Sequence, residues 1–221
     1  MNKRRQRLML WVVLLITAGF VALSVFVHVY PDLSIDLRLS RDVQRHQNAF
    51  IDGLMYAIST PGYLPESVIM VGLTALLFFL YKYKKAAGFT LLTGVSALVS
   101  TIVKVLVNRP RPSDTLVRIV KKTAQQSFPS GHVLFYVVFF GFMMLLMLQL
   151  EGMPKWIKYP VIIISSFLIF TIPVSRIYLG AHWFTDVVGG FLLGLVCLYV
   201  LSWFYLRKPA NATEAPVAET K

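Results

Sequence analysis

Residues 131–150 read GHVLFYVVFFGFMMLLMLQL, a run of 20 residues that contains no Asp, Glu, Lys or Arg. A helix needs about 20 mainly apolar residues to cross the hydrocarbon core of a bilayer. Similar, mainly apolar runs lie on both sides of this one, at 8–28, 64–81, 86–107, 157–174 and 183–206. The sequence therefore predicts a bundle of six membrane-spanning helices.

The overall composition agrees with this prediction. Hydrophobic residues make up 57% of the 221 residues and charged residues 14%, and the mean hydropathy is +0.67. Soluble domains carry about 25% charged residues, so an ordinary soluble globule and a disordered chain are both excluded. The predicted spans occupy more than half of the chain. We predict one all-α integral membrane domain over 8–206, preceded by a basic N-terminus over 1–7 and followed by a disordered tail over 207–221.

The charge distribution predicts an orientation. The net charge is +12, but no nucleic-acid-binding signature is present, and basic residues beside membrane helices set topology and bind anionic lipids. Twelve Lys and Arg residues fall on the side of the N-terminus and ten on the other side. We therefore predict a multi-pass protein of the cytoplasmic membrane with both termini in the cytoplasm. The run 8–28 is longer than the core of a cleaved signal peptide and is interpreted as a retained anchor.

The connection over 29–63 has a helical pattern of its own. Phe50, Leu54 and Ile58 recur every four residues before Thr60-Pro61-Gly62 breaks the run. An amphipathic helix in the headgroup layer and a helix packed on the bundle are equally consistent with this spacing.

Three polar clusters interrupt the apolar pattern, each at a helix end on the predicted outer side. They are Lys104 with Asn108-Arg109-Pro110-Arg111-Pro112, then Pro129-Ser130-Gly131-His132, then Ser175-Arg176 with His182 and Asp186. Each cluster alone has an ordinary explanation, such as a snorkelling lysine, a basic interfacial loop, a helix cap or a structural His–Asp pair. Because all three fall at the same predicted depth, we predict that they form one site.

Part of this set suits a bound phosphate group. Lys104, Arg111 and Arg176 supply three positive charges, and the guanidinium fork of arginine matches two phosphate oxygens. Ser130 and Gly131 begin a predicted helix, whose unpaired N–H groups and dipole favour an anion. The sequence therefore predicts an anion site at these helix ends.

The remaining members supply acid, base or nucleophile. His182 and Asp186 are four residues apart and are predicted to share a helical face, so the carboxylate can orient the imidazole. His132 offers a second imidazole as a proton donor. His132, His182 and Asp186 are also a possible zinc ligand set, but three neighbouring cations would repel a divalent ion. We therefore predict no metal and no other cofactor.

The three blocks resemble the signature of the type 2 phosphatidic acid phosphatase family, which is Lys-x6-Arg-Pro, Pro-Ser-Gly-His and Ser-Arg-x5-His-x3-Asp. All eleven specified positions match, from Lys104 through Arg111-Pro112 and Pro129–His132 to Ser175-Arg176, His182 and Asp186. Arg109-Pro110 lacks the required gap from Lys104 and is set aside as lying outside the signature. The resemblance extends over about residues 50–206. Vanadium haloperoxidases have similar motifs but are soluble and resemble this chain less.

The resemblance implies a mechanism that agrees with the residues. His182 would attack phosphorus to give a phosphohistidine, with Asp186 orienting its ring. Lys104, Arg111, Arg176 and the backbone at Ser130 and Gly131 would hold the phosphate oxygens, and His132 would protonate the leaving group. Family members are metal-independent.

We therefore predict a membrane phosphatase that acts on a lipid phosphate at the outer face. Undecaprenyl diphosphate, phosphatidic acid and phosphatidylglycerophosphate are the candidate substrates. A transporter or channel for phosphate or lipid would use the same cations, but the middle parts of the fourth and fifth predicted helices carry no charged residue to line a path. A binding scaffold without activity is disfavoured by the complete set of His132, His182 and Asp186.

Overall fold

A computed structural model of the chain describes residues 3–120 and 125–207, and every regular element in these two ranges is a helix. The helices are α1 (Lys3–Val29), α2 (Ser34–Val43), α3 (Ala49–Ser59), α4 (Glu66–Leu80), α5 (Lys84–Leu92), α6 (Val95–Val107), α7 (Gly131–Gln149), α8 (Lys155–Tyr178) and α9 (Phe184–Leu206), with a 3-10 turn at Thr60–Gly62. This confirms the all-α prediction. Apart from Arg207, the predicted disordered tail lies outside the described residues.

Five of the predicted spans are long and apolar enough to cross a membrane: α1, α5 with α6, α7, α8 and α9. The predicted span 64–81 corresponds to α4, whose 15 residues cover only about 22 Å at 1.5 Å per residue. Together with α3 and the 3-10 turn, α4 forms a pair bent by 56°, which is either a broken span or a re-entrant loop. By length and composition, the described part of the chain therefore has five candidate spans, or six if the bent pair is one span.

The span predicted at 86–107 is divided in two at Thr93 and Gly94. There the backbone N–H groups of Thr93 and Gly94 bond to carbonyls three residues back, at 3.1 Å and 3.0 Å, instead of four. The Thr93 hydroxyl also donates to the carbonyl of Thr90 over 2.6 Å. These tighter bonds locally replace the α-helical pattern.

Helix α7 is the centre of the molecule and packs against α8 and α9. It is apolar on all sides and most of its side chains are buried, as expected of a helix surrounded by others. Gly190 and Gly194 let α9 approach α7 closely, since a Cβ at Gly190 would lie 2.6 Å from the Ser130 carbonyl oxygen. The start of α7 is thereby brought against the start of α9, where the Ser130 N–H donates to the Asp186 carbonyl over 2.9 Å.

The connection between α1 and α4 contains two helices, of which only α3 was predicted from the sequence. Helix α3 packs against α8 and buries Ile58 in its last turn, while Phe50 in its first turn is 78% exposed. Packing on the bundle, one of the two alternatives, therefore describes the C-terminal end of α3. Helix α2 was not predicted from the hydrophobic pattern because its buried side chains, Asp36 and Ser40, are polar.

Candidate active site

Lys104 lies near the end of α6 and is buried. Helix α6 ends at Val107 because Asn108 takes a left-handed conformation, with φ at 47°, which asparagine tolerates better than most residues. The chain then folds back over the helix, so that Lys104 Nζ donates to the Gln126 carbonyl over 2.7 Å. This contact joins the first motif block to the segment that leads into the second.

Arg111 lies in the loop after α6 and reaches towards the third block. Its Nε donates to the Gln125 carbonyl and its Nη1 to the Ala181 carbonyl, each over 2.5 Å, and Nη1 lies 3.5 Å from His182 Nε2. Burial and the positive charge of Arg176 lower the pKa of Arg111 to about 10. The guanidinium therefore remains charged at neutral pH and faces the imidazole.

The second block forms the start of α7. Ser130 is the N-cap, but its side chain makes no capping hydrogen bond. A Cβ at Gly131 would lie 3.2 Å from Ser100 Oγ, so a larger residue would crowd this helix start. The ring of His132 meets the ring of Tyr63 at a centroid distance of 4.6 Å.

Arg176 lies inside α8, because this helix continues to Tyr178 and does not end at 174 as predicted. Its Nη1 donates to the Tyr63 hydroxyl over 2.8 Å and to Ser59 Oγ over 3.0 Å. The chain turns after α8 at Gly180, with φ at +66°, where a Cβ would lie 2.1 Å from the Arg118 carbonyl oxygen. Glycine is therefore required for the turn that returns His182 to the site.

His182 and Asp186 do not share a helical face, contrary to the prediction. Helix α9 begins at Phe184, so His182 lies before the N-cap residue Trp183. The closest approach is 3.7 Å, from His182 Nδ1 to Asp186 Oδ2, which is too long for a hydrogen bond. The same Oδ2 accepts the Trp183 N–H over 2.9 Å and the Ser127 hydroxyl. The imidazole and the carboxylate are thus adjacent but not hydrogen-bonded in this structure.

The cations of the first and third blocks surround His182. Burial lowers its pKa well below the ordinary 6.5, and the positive charges of Arg111, Lys104 and Arg176 lower the pKa further. The imidazole is therefore neutral at neutral pH, the form in which a ring nitrogen can act as a nucleophile.

The site contains buried polar atoms without a protein partner. Within residues 3–120 and 125–207, no hydrogen bond is made by Ser130 Oγ, His132 Nε2, Arg176 Nε or His182 Nδ1. Buried polar atoms are normally paired, and an unpaired one costs roughly 1–3 kcal/mol. Since these atoms come from the second and third blocks, the structure brings the blocks together around a position that suits a polar ligand.

A metal is a poor fit to this arrangement. In the described part of the chain, no group of three or more His, Cys, Asp or Glu side chains is placed to hold a metal ion. The alternative of a zinc ion held by His132, His182 and Asp186 therefore lacks its ligand cluster here.

Arg109, which lies outside the motif signature, is one of the most deeply buried side chains of the described residues. Its Nη1 donates to Asp186 Oδ1 and its Nη2 to Asp36 Oδ2, each over 2.7 Å. Asp36 Oδ2 also accepts the Thr185 hydroxyl over 2.7 Å. Arg109 thus joins α2 to the carboxylate beside His182. In the sequence, the only indication that Arg109 belongs near the site was its position two residues before Arg111, with Pro110 between them.

The fold and the site together define a class of protein, a multi-pass helical membrane protein with a buried cationic site that contains two histidines. The profile of the PAP2 superfamily matches residues 85–210, which include all three motif blocks. The chain belongs to the PAP2 superfamily.

Individual relatives and one solved structure are similar to this chain over most of its length. An undecaprenyl-diphosphatase of Sulfolobus acidocaldarius is 28% identical over 192 residues, covering 83% of this chain and 85% of the relative. Phosphatidylglycerophosphatase B of Bacillus subtilis is 29% identical over 192 residues, covering 84% and 90%. A crystal structure of a transmembrane PAP2-type phosphatidylglycerolphosphate phosphatase from Bacillus subtilis has a TM-score of 0.76 at 24% identity, covering 87% of this chain and 94% of that one. The fold of a multi-pass membrane protein is therefore confirmed.

Proposed function

We propose that this protein is a metal-independent phosphatase that hydrolyses the phosphate monoester or diphosphate of a membrane lipid. The observation that carries the proposal is the set of unpaired buried atoms Ser130 Oγ, His132 Nε2 and Arg176 Nε. A phosphoryl group with its oxygens is a ligand that these donors and acceptors can share. The names of the two relatives, which are phosphatases, support the same reaction class.

In the first step, His182 Nε2 attacks phosphorus in line. The N–P bond forms as the bond from phosphorus to the leaving oxygen breaks, and the electron pair departs with that oxygen. His132, which is protonated when the negatively charged substrate is bound, gives its proton to the leaving oxygen, which is the lipid alcohol or lipid phosphate. Asp186, adjacent to Nδ1, stabilises the positive charge on the ring.

In the second step, water attacks the phosphohistidine. His132, now neutral, takes a proton from the water, and the N–P bond breaks to return His182 and release inorganic phosphate. In both steps Lys104, Arg111 and Arg176 neutralise the charge on the phosphoryl oxygens, which is the role that Mg²⁺ has in many phosphoryl-transfer enzymes. The chemistry therefore needs no metal ion.

The position of the site supports a lipid substrate. Its residues lie at the ends of α6, α7, α8 and α9, where a phosphate at headgroup level is reached while the lipid tail stays in the bilayer. Undecaprenyl diphosphate, phosphatidylglycerophosphate and phosphatidic acid are the candidates, and the first two are in keeping with the names of the relatives.

We further propose that the protein lies in the cytoplasmic membrane with both termini in the cytoplasm and the site on the outer face. The excess of basic residues on the side of the N-terminus supports this orientation. Fusions of alkaline phosphatase after Asp114 and after Gly152 test it, since only the first should be active outside the cytoplasm.

Phosphate release by the detergent-purified protein tests the reaction. Each of the three lipids is assayed with and without EDTA, for the wild type, His182→Ala and a matched control, His46→Ala, whose side chain is exposed. We expect release from at least one lipid that persists in EDTA, is lost in His182→Ala and is unchanged in His46→Ala. Phosphate release by His182→Ala at the wild-type rate would disprove the mechanism, and no release by the wild type from any of the three lipids would count against the function.

A further inference from the structure

The turn between α3 and α4, residues 59–63, touches site residues of two motif blocks. We call these residues the outer turn. They precede residues 85–210, which match the family, and no motif block includes them. Ser59 is fully buried, whereas Gly62 and Tyr63 are partly exposed. The chain is anchored on α7 immediately before the outer turn, since the Tyr136 hydroxyl donates to the Ile58 carbonyl over 2.5 Å.

The first site residue that the outer turn holds is Arg176. Its Nη1 donates to both Ser59 Oγ and the Tyr63 hydroxyl, at 3.0 Å and 2.8 Å. Ser59 Oγ is itself fixed by Ser175 Oγ at 2.7 Å. The two hydroxyls thus immobilise one end of the guanidinium, while its Nε is among the buried atoms for which the described residues provide no partner. This arrangement keeps Nε available for a phosphate oxygen.

The second site residue that the outer turn holds is His132. The Tyr63 ring meets the imidazole nearly at right angles, with an angle of 74° between the ring planes. On another side the backbone of Gly62 is so close that a Cβ there would lie 2.5 Å from His132 Cδ2. The imidazole therefore lies in a slot formed by Gly62 and Tyr63, which fixes the direction of its Nε2.

We infer that the outer turn is a positioning element of the active site, in which the Tyr63 hydroxyl orients Arg176 for the substrate phosphate and the Tyr63 ring orients His132 for proton transfer. This inference rests on the proposed function. The hydroxyl acts on binding alone, whereas the ring contacts both His132 and the Arg176 guanidinium, whose Cζ lies 5.4 Å from the ring centroid, and so acts on chemistry as well as binding. Two substitutions at the same position can therefore separate them.

Steady-state kinetics of the full-length protein in detergent test the inference, with whichever of the three candidate lipids the wild type cleaves fastest. Tyr63→Phe removes the hydroxyl and keeps the ring, so we expect KM to rise about tenfold, as for loss of one hydrogen bond to a charged group, with kcat within about twofold. Tyr63→Leu also removes the ring, so we expect kcat to fall by a further factor of about 10 to 100 as the general acid is misplaced. Tyr81→Phe is the matched control, because Tyr81 is 74% exposed at the opposite end of α4.

Two further variants test whether the Tyr63 substitutions lower activity only by destabilising the protein. In an Arg176→Lys background, Tyr63→Phe should no longer raise KM, since the contact that it removes is already lost. Gly62→Ala should lower kcat without raising KM, because its methyl group presses on His132 Cδ2, at 2.5 Å, and on Tyr136 Cε2, at 3.0 Å, and leaves the hydrogen bonds of Arg176 in place. The thermal unfolding temperature of each variant shows whether it is folded.

The outcomes separate this inference from the proposed function. An active wild type with Tyr63→Phe and Tyr63→Leu variants that keep its kcat and KM would overturn the inference alone. Parallel loss of kcat and unfolding temperature in both variants, with unchanged KM, would also overturn it. A wild type that cleaves none of the three lipids would overturn the proposed function itself.

Discussion

Arg109 Nη1 donates to Asp186 Oδ1 over 2.7 Å, and neither side chain has any exposed surface. The guanidinium is shared with Asp36, which lies far away in the chain on α2. A buried charge is stable only when it is paired and hydrogen-bonded, so each member of this trio depends on the others. The trio explains how a carboxylate can be held in place beside His182 in an apolar bundle.

Replacing Arg109 should therefore damage stability as well as activity. In Arg109→Met, two buried carboxylates lose their common partner, which costs about 3–5 kcal/mol of unfolding free energy for a buried pair. Thermal unfolding in detergent measures this loss. Arg38→Met, at an exposed arginine of α2, is the control and should unfold like the wild type. An Arg109→Met protein as stable as the wild type would show that the trio contributes little.

Replacing Lys104 should have a large effect on activity and only a small effect on stability. Lys104→Met removes one positive charge from the transition state, and loss of one such electrostatic donor lowers kcat by about 10² to 10³. The hydrogen bond to Gln126 and the attraction to Asp186 that are lost are offset by the removal of a buried, desolvated ammonium and by relief of repulsion from Arg111 and Arg176. We therefore expect the unfolding free energy to change by less than about 1 kcal/mol.

Parallel measurements of kcat and of chemical unfolding on Lys104→Met and the wild type check this prediction. A variant that retains the wild-type kcat would exclude Lys104 from the phosphate site. A variant that unfolds several kcal/mol more easily would assign it to the fold instead.

The pH dependence of kcat/KM should reflect the environment of His182. Burial and the charges of Arg111, Lys104 and Arg176 lower the pKa of His182, so the imidazole stays neutral, and nucleophilic, to a lower pH than an ordinary histidine. Activity should thus be lost only as the pH falls below about 6.5, through the lowered pKa. Arg111→Gln removes a positive charge, so the pKa of His182 should rise and the acid limb should move to higher pH.

A pH series of kcat/KM for the wild type and Arg111→Gln, each normalised to its own maximum, gives the two acid limbs. Arg38→Gln is the control for loss of a distant charge and should keep the limb of the wild type. A shift to lower pH in Arg111→Gln would contradict the assignment of the limb to His182.

Gly190 should be required for the contact between α7 and α9. A Cβ there would lie 2.6 Å from the Ser130 carbonyl oxygen, so Gly190→Ala must push the start of α7 away from Asp186. Overpacking of this kind costs about 1–3 kcal/mol. Gly72→Ala on α4 is the matched control, since nothing lies within 4 Å of a Cβ there, and alanine should be neutral or slightly stabilising in a helix.

Thermal unfolding of the two alanine variants provides the comparison. Kinetics should also show a reduced kcat for Gly190→Ala alone, because Ser130 and Asp186 move apart. Equal unfolding temperatures for Gly190→Ala and Gly72→Ala would mean that the helices separate without cost.

Much of this protein follows from its sequence because the determining features are local. Spans such as 131–150 need only apolar composition and length, and the motif blocks state their own spacing, as from Lys104 to Arg111. A bilayer also restricts the spanning segments to helices or closed barrels, so their ends must lie near its two surfaces. Convergence of the three polar clusters could therefore be predicted without knowledge of the packing.

Only the tertiary structure decided which further residues support the site. Arg109 looked like a basic residue of an interfacial loop, Asp36 lay on an unpredicted helix, and Tyr63 followed a turn without any motif. Their roles depend on partners that are distant in the chain, such as Asp186 for Arg109 and His132 for Tyr63. Pairing of this kind arises when α2 packs against α8 and α9 and the outer turn packs against α7 and α8. No local pattern of hydrophobicity or charge encodes that packing. Tertiary packing also separates His182 from the helix that carries Asp186. The turn at Gly180, which packs against the Arg118 carbonyl, determines that α9 begins only at Phe184, after His182.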